Sequence, residues 1–193
     1  IVKTARRENA DIVGGPVDPE FEVPAPTAVK QHPLLGSIEG ESREIDQIHG
    51  SGNCLIRRRV FEGLQSPLFD VRFNFLGGGD MEFFTRCRKA GFRTWWCAEA
   101  MIHEFVAGER VTARFLMKRS IRTGSINYVI DRIHSGSALK PVAKNAVSLW
   151  LGLGRSVRLF TKTRRLLPAS HPLLVSLGRT IASLGFLPKP YKG

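Results

Sequence analysis

Residues 77–91 restrict the fold more than any other part of the chain. Three glycines, Gly77-Gly78-Gly79, lead into Asp80, and Met81, Phe84 and Cys87 or Arg88 then recur at helical spacing until Gly91. Glycine adopts the left-handed backbone that closes a helix, so Gly91 predicts a helix over 81–90. The run at 92–97 carries Phe92, Trp95 and Trp96 and reads as a β-strand. A helix that gives way to a strand across one glycine favours an α/β architecture.

The flanking sequence repeats this alternation. Residues 1–10 read as the end of a polar helix, and 11–17 as a short buried strand closed by Gly14, Gly15 and Pro16. Pro19, Pro24, Pro26 and Pro33 make 18–36 a loop or a set of extended pieces, and the polar residues 37–49 are expected to be helical in part. A strand is expected at 53–57 behind Gly50-Ser51-Gly52, then a short helix at 58–64 and a loop interrupted by Phe69, Phe73 and Phe75. Residues 101–105 read as a further strand or loop, and 111–130 as a helix broken or bent near Gly124. Three strands with two or three helices are too few for a doubly wound sheet. The remainder is expected ahead of Ile1, where neither a methionine nor a signal peptide stands.

Composition narrows the class. Hydrophobic residues are 42% and charged residues 24%, which excludes wholesale disorder. No run approaches the ~18 apolar residues of a membrane-spanning helix. Cys54, Cys87 and Cys97 form no CxxC pair and are too few for a disulfide scaffold, so a reducing compartment fits. The charge is divided. Residues 1–109 hold 13 basic and 16 acidic side chains, whereas 110–193 hold 16 basic ones and a single acid, Asp131. That asymmetry points to an anionic partner for the C-terminal part: nucleic acid, a nucleotide diphosphate or an acidic membrane surface.

Four features can carry chemistry. Asp80 follows flexible glycines at a helix start, where the dipole favours negative charge; it suits a base, and equally a helix cap. His103, beside Glu104, is a metal-ligand candidate or a structural histidine, since one imidazole makes no site. The small residues Gly50-Ser51-Gly52 and the amide of Asn53 let a backbone approach a sugar or phosphate, or make an ordinary turn. Arg110, Arg114, Lys118, Arg119 and Arg122 form a basic helical cluster. Arg119 and Arg122, three apart, could pinch a diphosphate or simply stand on a solvated face.

Taken in order, these pieces resemble the C-terminal half of a family 2 glycosyltransferase with the GT-A fold, over about residues 10–128. Asp11-Ile12-Val13-Gly14-Gly15-Pro16-Val17 is similar to the strand after that family's metal-binding DxD motif. Ser51-Gly52-Asn53-Cys54-Leu55-Ile56-Arg57-Arg58 is similar to its glycine loop and following strand. Gly78-Gly79-Asp80-Met81-Glu82-Phe83-Phe84 through Arg86, Gly91 and Phe92 resembles its acidic motif, ending in the catalytic Asp, and the helix behind it. Gly79 stands where the family commonly has an acid, and no DxD occurs in the chain.

The resemblance implies an α/β fold: the C-terminal portion of a GT-A domain, Rossmann-like with a mixed sheet, followed by amphipathic helices. It places the acceptor and catalytic-base part at 1–130 and a basic helical tail at 131–193, with the nucleotide-binding part expected upstream. Asp80 would be the general base, His103 would help hold a divalent metal (Mg or Mn) or the donor diphosphate, and Arg119 and Arg122 would face that diphosphate. Gly52, Asn53, Gly78 and Gly79 would lie against substrate. The implied reaction moves a sugar from a nucleotide-diphosphate sugar to a saccharide or lipid-linked acceptor with inversion, in surface polysaccharide or exopolysaccharide synthesis of a bacterium. One carboxylate suffices for such a displacement, unlike the paired acids of a glycosidase.

The tail supplies a separate expectation. At helical spacing Val142, Ala146, Leu149, Trp150, Leu153, Val157 and Phe160 share one arc, and Lys140, Lys144, Arg155, Arg158, Lys162 and Arg165 the opposite one. A basic, Trp-bearing amphipathic helix over 138–167 fits an anionic membrane surface, here the inner face of the plasma membrane, or packs on its own domain. Residues 172–188 are a second apolar stretch, too interrupted to span a membrane. The rival readings are a non-enzymatic module binding nucleic acid or anionic membrane, and an inactive glycosyltransferase homologue. No nucleic-acid partner is expected, because no binding motif is present and the aromatics sit mainly away from the arginines.

Overall fold

The computed structural model describes residues 1–36, 40–64, 68–137 and 139–187. In chain order these form α1 (Val2–Arg7), β1 (Ile12–Gly14), β2 (Val17–Phe21), α2 (Thr27–Lys30), β3 (Arg43–Ile45), β4 (Cys54–Ile56) and α3 (Arg58–Gly63). They continue as α4 (Gly79–Lys89), β5 (Thr94–Trp96), β6 (Ile102–Val106), α5 (Ala113–His134), α6 (Leu139–Thr163) and α7 (Leu166–Ser183). The chain is mixed α/β and divides into two units: one built on α1, β1, β3, β4, α3, α4 and β5, the other on α2, α5, α6 and α7. β2 and β6 form a separate two-stranded sheet and run from the first unit into the second.

The first unit centres on a four-stranded mixed sheet in the order β3-β5-β1-β4. β1 lies parallel to β5, with Val13 opposite Trp95, and antiparallel to β4, with Val13 opposite Leu55. Alternation along β1 separates two cores. Ile12 packs with Ile48, Val60, Phe83, Phe84 and Cys87, whereas Val13 packs with Ala5, Ala10 and Cys97. The phenylalanines of α4 are fully buried, and Phe69 stacks on Phe83 at 5.1 Å, which explains an aromatic in the preceding loop.

Two buried acids are engaged here, Asp11 between elements and Glu82 within α4. Asp11 accepts the Arg93 backbone N–H at 2.9 Å, pairs with Arg59, and through its carbonyl accepts the Arg57 N–H at 2.9 Å. Glu82, 2% exposed, takes the Arg86 Nε–H on both carboxylate oxygens at 2.9 and 3.0 Å. α4 ends as its sequence predicts: Gly91 has φ +82°, and the Phe92 N–H donates to the Cys87 carbonyl.

Residues 43–45 depart from expectation. They form β3, antiparallel to β5, rather than part of a helix, while 37–39 lie outside the described residues. Cross-strand groups hold this short edge: Arg93 Nη2 lies 2.9 Å from Glu44, and the Ala98 N–H donates to Ser42 Oγ at 2.8 Å.

The second unit is helical. Thr112 Oγ1 caps α5 by accepting the Phe115 N–H, and the helix then runs unbroken through Gly124. Gly124 serves contact rather than bending: a Cβ there would meet the Val175 carbonyl oxygen at 1.9 Å, and one on Gly178 would meet that of Ile121 at the same distance. Small and polar residues line these contacts. Ser125 Oγ donates to the Gly178 carbonyl, and Ser176 Oγ to that of Ser148. Asp131 ties three helices together, lying 2.8 Å from Lys144 Nζ of α6 and 2.8 Å from Arg179 Nη1 of α7. On α6 the buried residues are Pro141, Asn145, Gly152 and Ser156, whereas Val142, Leu149, Trp150, Leu153, Val157 and Phe160 are exposed. α7 begins six residues ahead of the apolar stretch read from Pro172, which lies inside the helix; residues 188–193 lie outside the described residues.

Candidate active site

Asp80 is half-buried in the first turn of α4, and it is not the helix cap. The cap is Gly78, left-handed at φ +85°, which accepts the Glu82 N–H on its carbonyl. Gly77 is left-handed too, at φ +80°, so two adjacent residues take a backbone that any side chain would strain. This turn sets Asp80 with Oδ1 accepting the Met81 N–H at 2.8 Å. Oδ2 has no hydrogen-bond partner among the described residues. It lies 3.9 Å from where a Cβ on Gly50 would stand, so the glycine loop and the acid face each other. Gly79 is under no such constraint; a Cβ there would meet Phe73 at an ordinary 3.7 Å.

Two neighbours of Asp80 escape a reading by spacing. Burial and then the Asp80 carboxylate raise the Cys54 thiol above its usual range. Around His49 desolvation and then Arg88 hold the imidazole below its ordinary value, against an opposing pull from Asp80, although the residue keeps an open face. His49 directly precedes the Gly50–Asn53 loop but stands 31 residues ahead of Asp80, so only the fold reveals its association with that acid.

Asn53 is engaged with the scaffold. Its Nδ2 donates to the Pro16 carbonyl at 2.9 Å and the Ala100 carbonyl at 2.6 Å, and its own carbonyl accepts the Gly15 N–H. A Cβ on Gly15 would stand 2.7 Å from that amide, which explains the glycine. Oδ1 is the atom of the side chain without a hydrogen-bond partner among the described residues. Gly52 is open: the nearest group to a Cβ there would be Val17, at 4.0 Å.

His103 lies on β6 and faces β2, with Nδ1 3.4 Å from Asp18 Oδ2. That separation suits two adjacent ligands of one ion, which at metal–ligand distances of ~2.1 Å sit about 3 Å apart. An imidazole and a carboxylate fit a divalent metal as two of its ligands. Among the described residues no group of three or more His, Cys, Asp or Glu is placed to hold one. Asp18 has no motif around it, and only strand pairing reveals it.

Asp80, Gly52, Asn53, Gly78, Gly79 and His103 thus belong to the first unit, whereas Arg119 and Arg122 lie half-buried on α5 of the second. There Arg119 acts on His32, whose imidazole is pushed down to about 4 by burial, His171 and Arg119. Among the described residues no helix is long and apolar enough to cross a membrane.

No family model matches the chain, and no solved structure does. It is 28% identical over 124 residues to the succinoglycan biosynthesis protein ExoM of Rhizobium meliloti (strain 1021). The match covers 64% of this chain and 40% of that protein, so the chain spans about two fifths of the relative's length.

Proposed function

We propose that this chain is the acceptor side of a GT-A-fold glycosyltransferase of family 2, acting with inversion in polysaccharide synthesis. The observation that carries the reading is Asp80. One carboxylate oxygen is fixed by a backbone N–H, and the other, without a hydrogen-bond partner among the described residues, faces a loop of small residues. A carboxylate so held can take a proton from a hydroxyl without rearranging. The similarity to a protein named for succinoglycan biosynthesis is compatible with a role in building a polysaccharide.

In this reading the acceptor hydroxyl lies against Oδ2 of Asp80. Its oxygen attacks the anomeric carbon as its proton passes to Oδ2, the bond to the nucleoside diphosphate breaks on the opposite face, and the anomeric configuration inverts. Gly52, Gly78 and Gly79 let the acceptor approach the backbone, and Oδ1 of Asn53 accepts from a sugar hydroxyl. His103 and Asp18 would hold a divalent metal, which supplies charge neutralisation to the leaving diphosphate. The exposed apolar arc of α6 would rest on the inner face of the plasma membrane, which suits a lipid-linked acceptor.

The test uses the gene product as its genome encodes it, a panel of nucleotide-diphosphate sugars and a membrane-lipid extract as acceptor. One donor should be consumed, and NMR of the product should show an anomeric configuration opposite to the donor's. A product of retained configuration, or a panel left intact, overturns the reading.

A further inference from the structure

The three cations Arg155, Arg158 and Lys162 have no role in the reading above, and they line a cavity of about 430 Å³ between α6 and α7. They stand three and four residues apart on one face of α6, a span of roughly 10 Å. No carboxylate among the described residues pairs with them. Asp131, the single acid after residue 109, is already engaged by Lys144 and Arg179. Three positive charges kept side by side without a counter-charge repel one another, which an incoming anion of two or three charges relieves.

The rest of the cavity defines what accompanies that anion. Pro33, Leu159 and Val175 give an apolar wall. Gly152 brings the two helices together, since a Cβ there would stand 2.6 Å from Ser176 Oγ. His171 also lines the cavity; its Nδ1 is engaged by Ser120 Oγ at 2.8 Å, which leaves Nε2 without a hydrogen-bond partner among the described residues. A cationic rim over an apolar wall fits an anion joined to an apolar or planar body. In helical projection this rim lies opposite the arc of Trp150, Leu153 and Val157, so the cations serve a different surface from the apolar arc.

We propose that the cavity between α6 and α7 binds a diphosphate or phosphate-ester group, gripped by Arg155, Arg158 and Lys162, with the attached body against Pro33, Leu159 and Val175. Two sources share this chemistry: a soluble nucleotide or free diphosphate, and a lipid headgroup. The site does not depend on glycosyl transfer, and it is tested without any sugar donor.

The experiment is calorimetric titration of the chain at about 0.1 M salt, where screening still permits a charged site to be read. Inorganic diphosphate and a nucleoside diphosphate are the soluble probes; phosphatidylcholine vesicles with and without phosphatidic acid are the lipid probe. Saturable binding to one site is expected. It should weaken about ten-fold or more in the triple variant Arg155→Gln, Arg158→Gln, Lys162→Gln, and less than about two-fold in Lys140→Gln, which removes a charge of the same helix outside the cavity. Circular dichroism checks the fold of the triple variant, and Arg158→Gln alone replaces it if that fold is lost. Binding of the soluble probes assigns the site to a free ligand, and binding of acidic vesicles alone, lost in the variant, to a headgroup. Failure of the wild-type chain to bind any probe overturns the proposal, as does undiminished binding by the variant or an equal loss in Lys140→Gln.

Discussion

In the mixed-sheet unit large aromatics fill the core, with Phe83 and Phe84 each 1% exposed, whereas in the helical unit Trp150 on α6 stands 77% exposed above a buried stripe of Asn145, Gly152 and Ser156. The sheet unit gains stability in the ordinary way, by withdrawing apolar area from water around Ile12. The helical unit gains it by close backbone approach at Gly124 and Gly178 and by buried polar pairs, and turns much of its apolar surface outward. A chain of one average composition therefore holds two opposite sortings, and the second leaves an apolar helix face for something else to cover.

The largest effect should come from closing the approach on which the helical unit depends. Gly178→Leu puts a side chain where even a Cβ meets a carbonyl oxygen at 1.9 Å, so α5 and α7 must separate. Loss of the helical signal well below the wild-type midpoint is expected in a thermal melt followed by circular dichroism; an unshifted melt would contradict the packing described. Next comes Asp131→Asn, which strips the charge from a carboxylate shared by Lys144 and the 4%-exposed Arg179. Leaving that guanidinium buried and unpaired should cost about 3–5 kcal/mol in urea titration. Glu82→Gln makes the equivalent change in the sheet unit, so the pair of variants shows which unit leans harder on its buried acid.

Protonation offers a slightly smaller perturbation. Burial pushes His171 down to about 4, and burial with His171 and Arg119 does the same to His32. Against an unfolded value near 6.5, the unfolded chain binds more protons between about pH 6.5 and 4. Stability is therefore full above that window and falls as pH drops through it, by on the order of 3 kcal/mol for His32 alone. His32→Gln should flatten this part of a stability–pH curve, and an unchanged slope would remove His32 as its cause. The smallest effect concerns the outward surface. Trp150→Ser should weaken co-sedimentation with phosphatidylcholine vesicles containing phosphatidic acid about ten-fold, as loss of roughly 1.5–3 kcal/mol of apolar burial requires. Equal binding would remove that arc from any lipid contact.

Local patterns made part of this legible in the sequence. α4 was marked by spacing and by Gly91, and β5 by its aromatics, because both signals lie within a few residues. β3 was not, since three residues held by Arg93 and Ala98 from another part of the chain carry no period of their own. Gly124 reads as a bend until α7 supplies the backbone that its missing Cβ admits. Spacing groups the apolar arc of α6, but which arc is buried depends on the small residues facing α7. In the candidate site the sequence marks Asp80 and His103. Asp18 and His49 emerge only when strands and loops bring them near, and the anchoring of Asn53 only through the carbonyls of Pro16 and Ala100.

Asp80 is the residue on which the functional account turns, and turnover by Asp80→Asn in the gene product as encoded tests it most directly. Asparagine keeps the shape and can still accept the Met81 N–H, but it cannot take the acceptor's proton. Sugar transfer should fall about 10²- to 10⁴-fold while affinity for the nucleotide-sugar donor changes little. Transfer at the wild-type rate would contradict the account and remove Asp80 as the base.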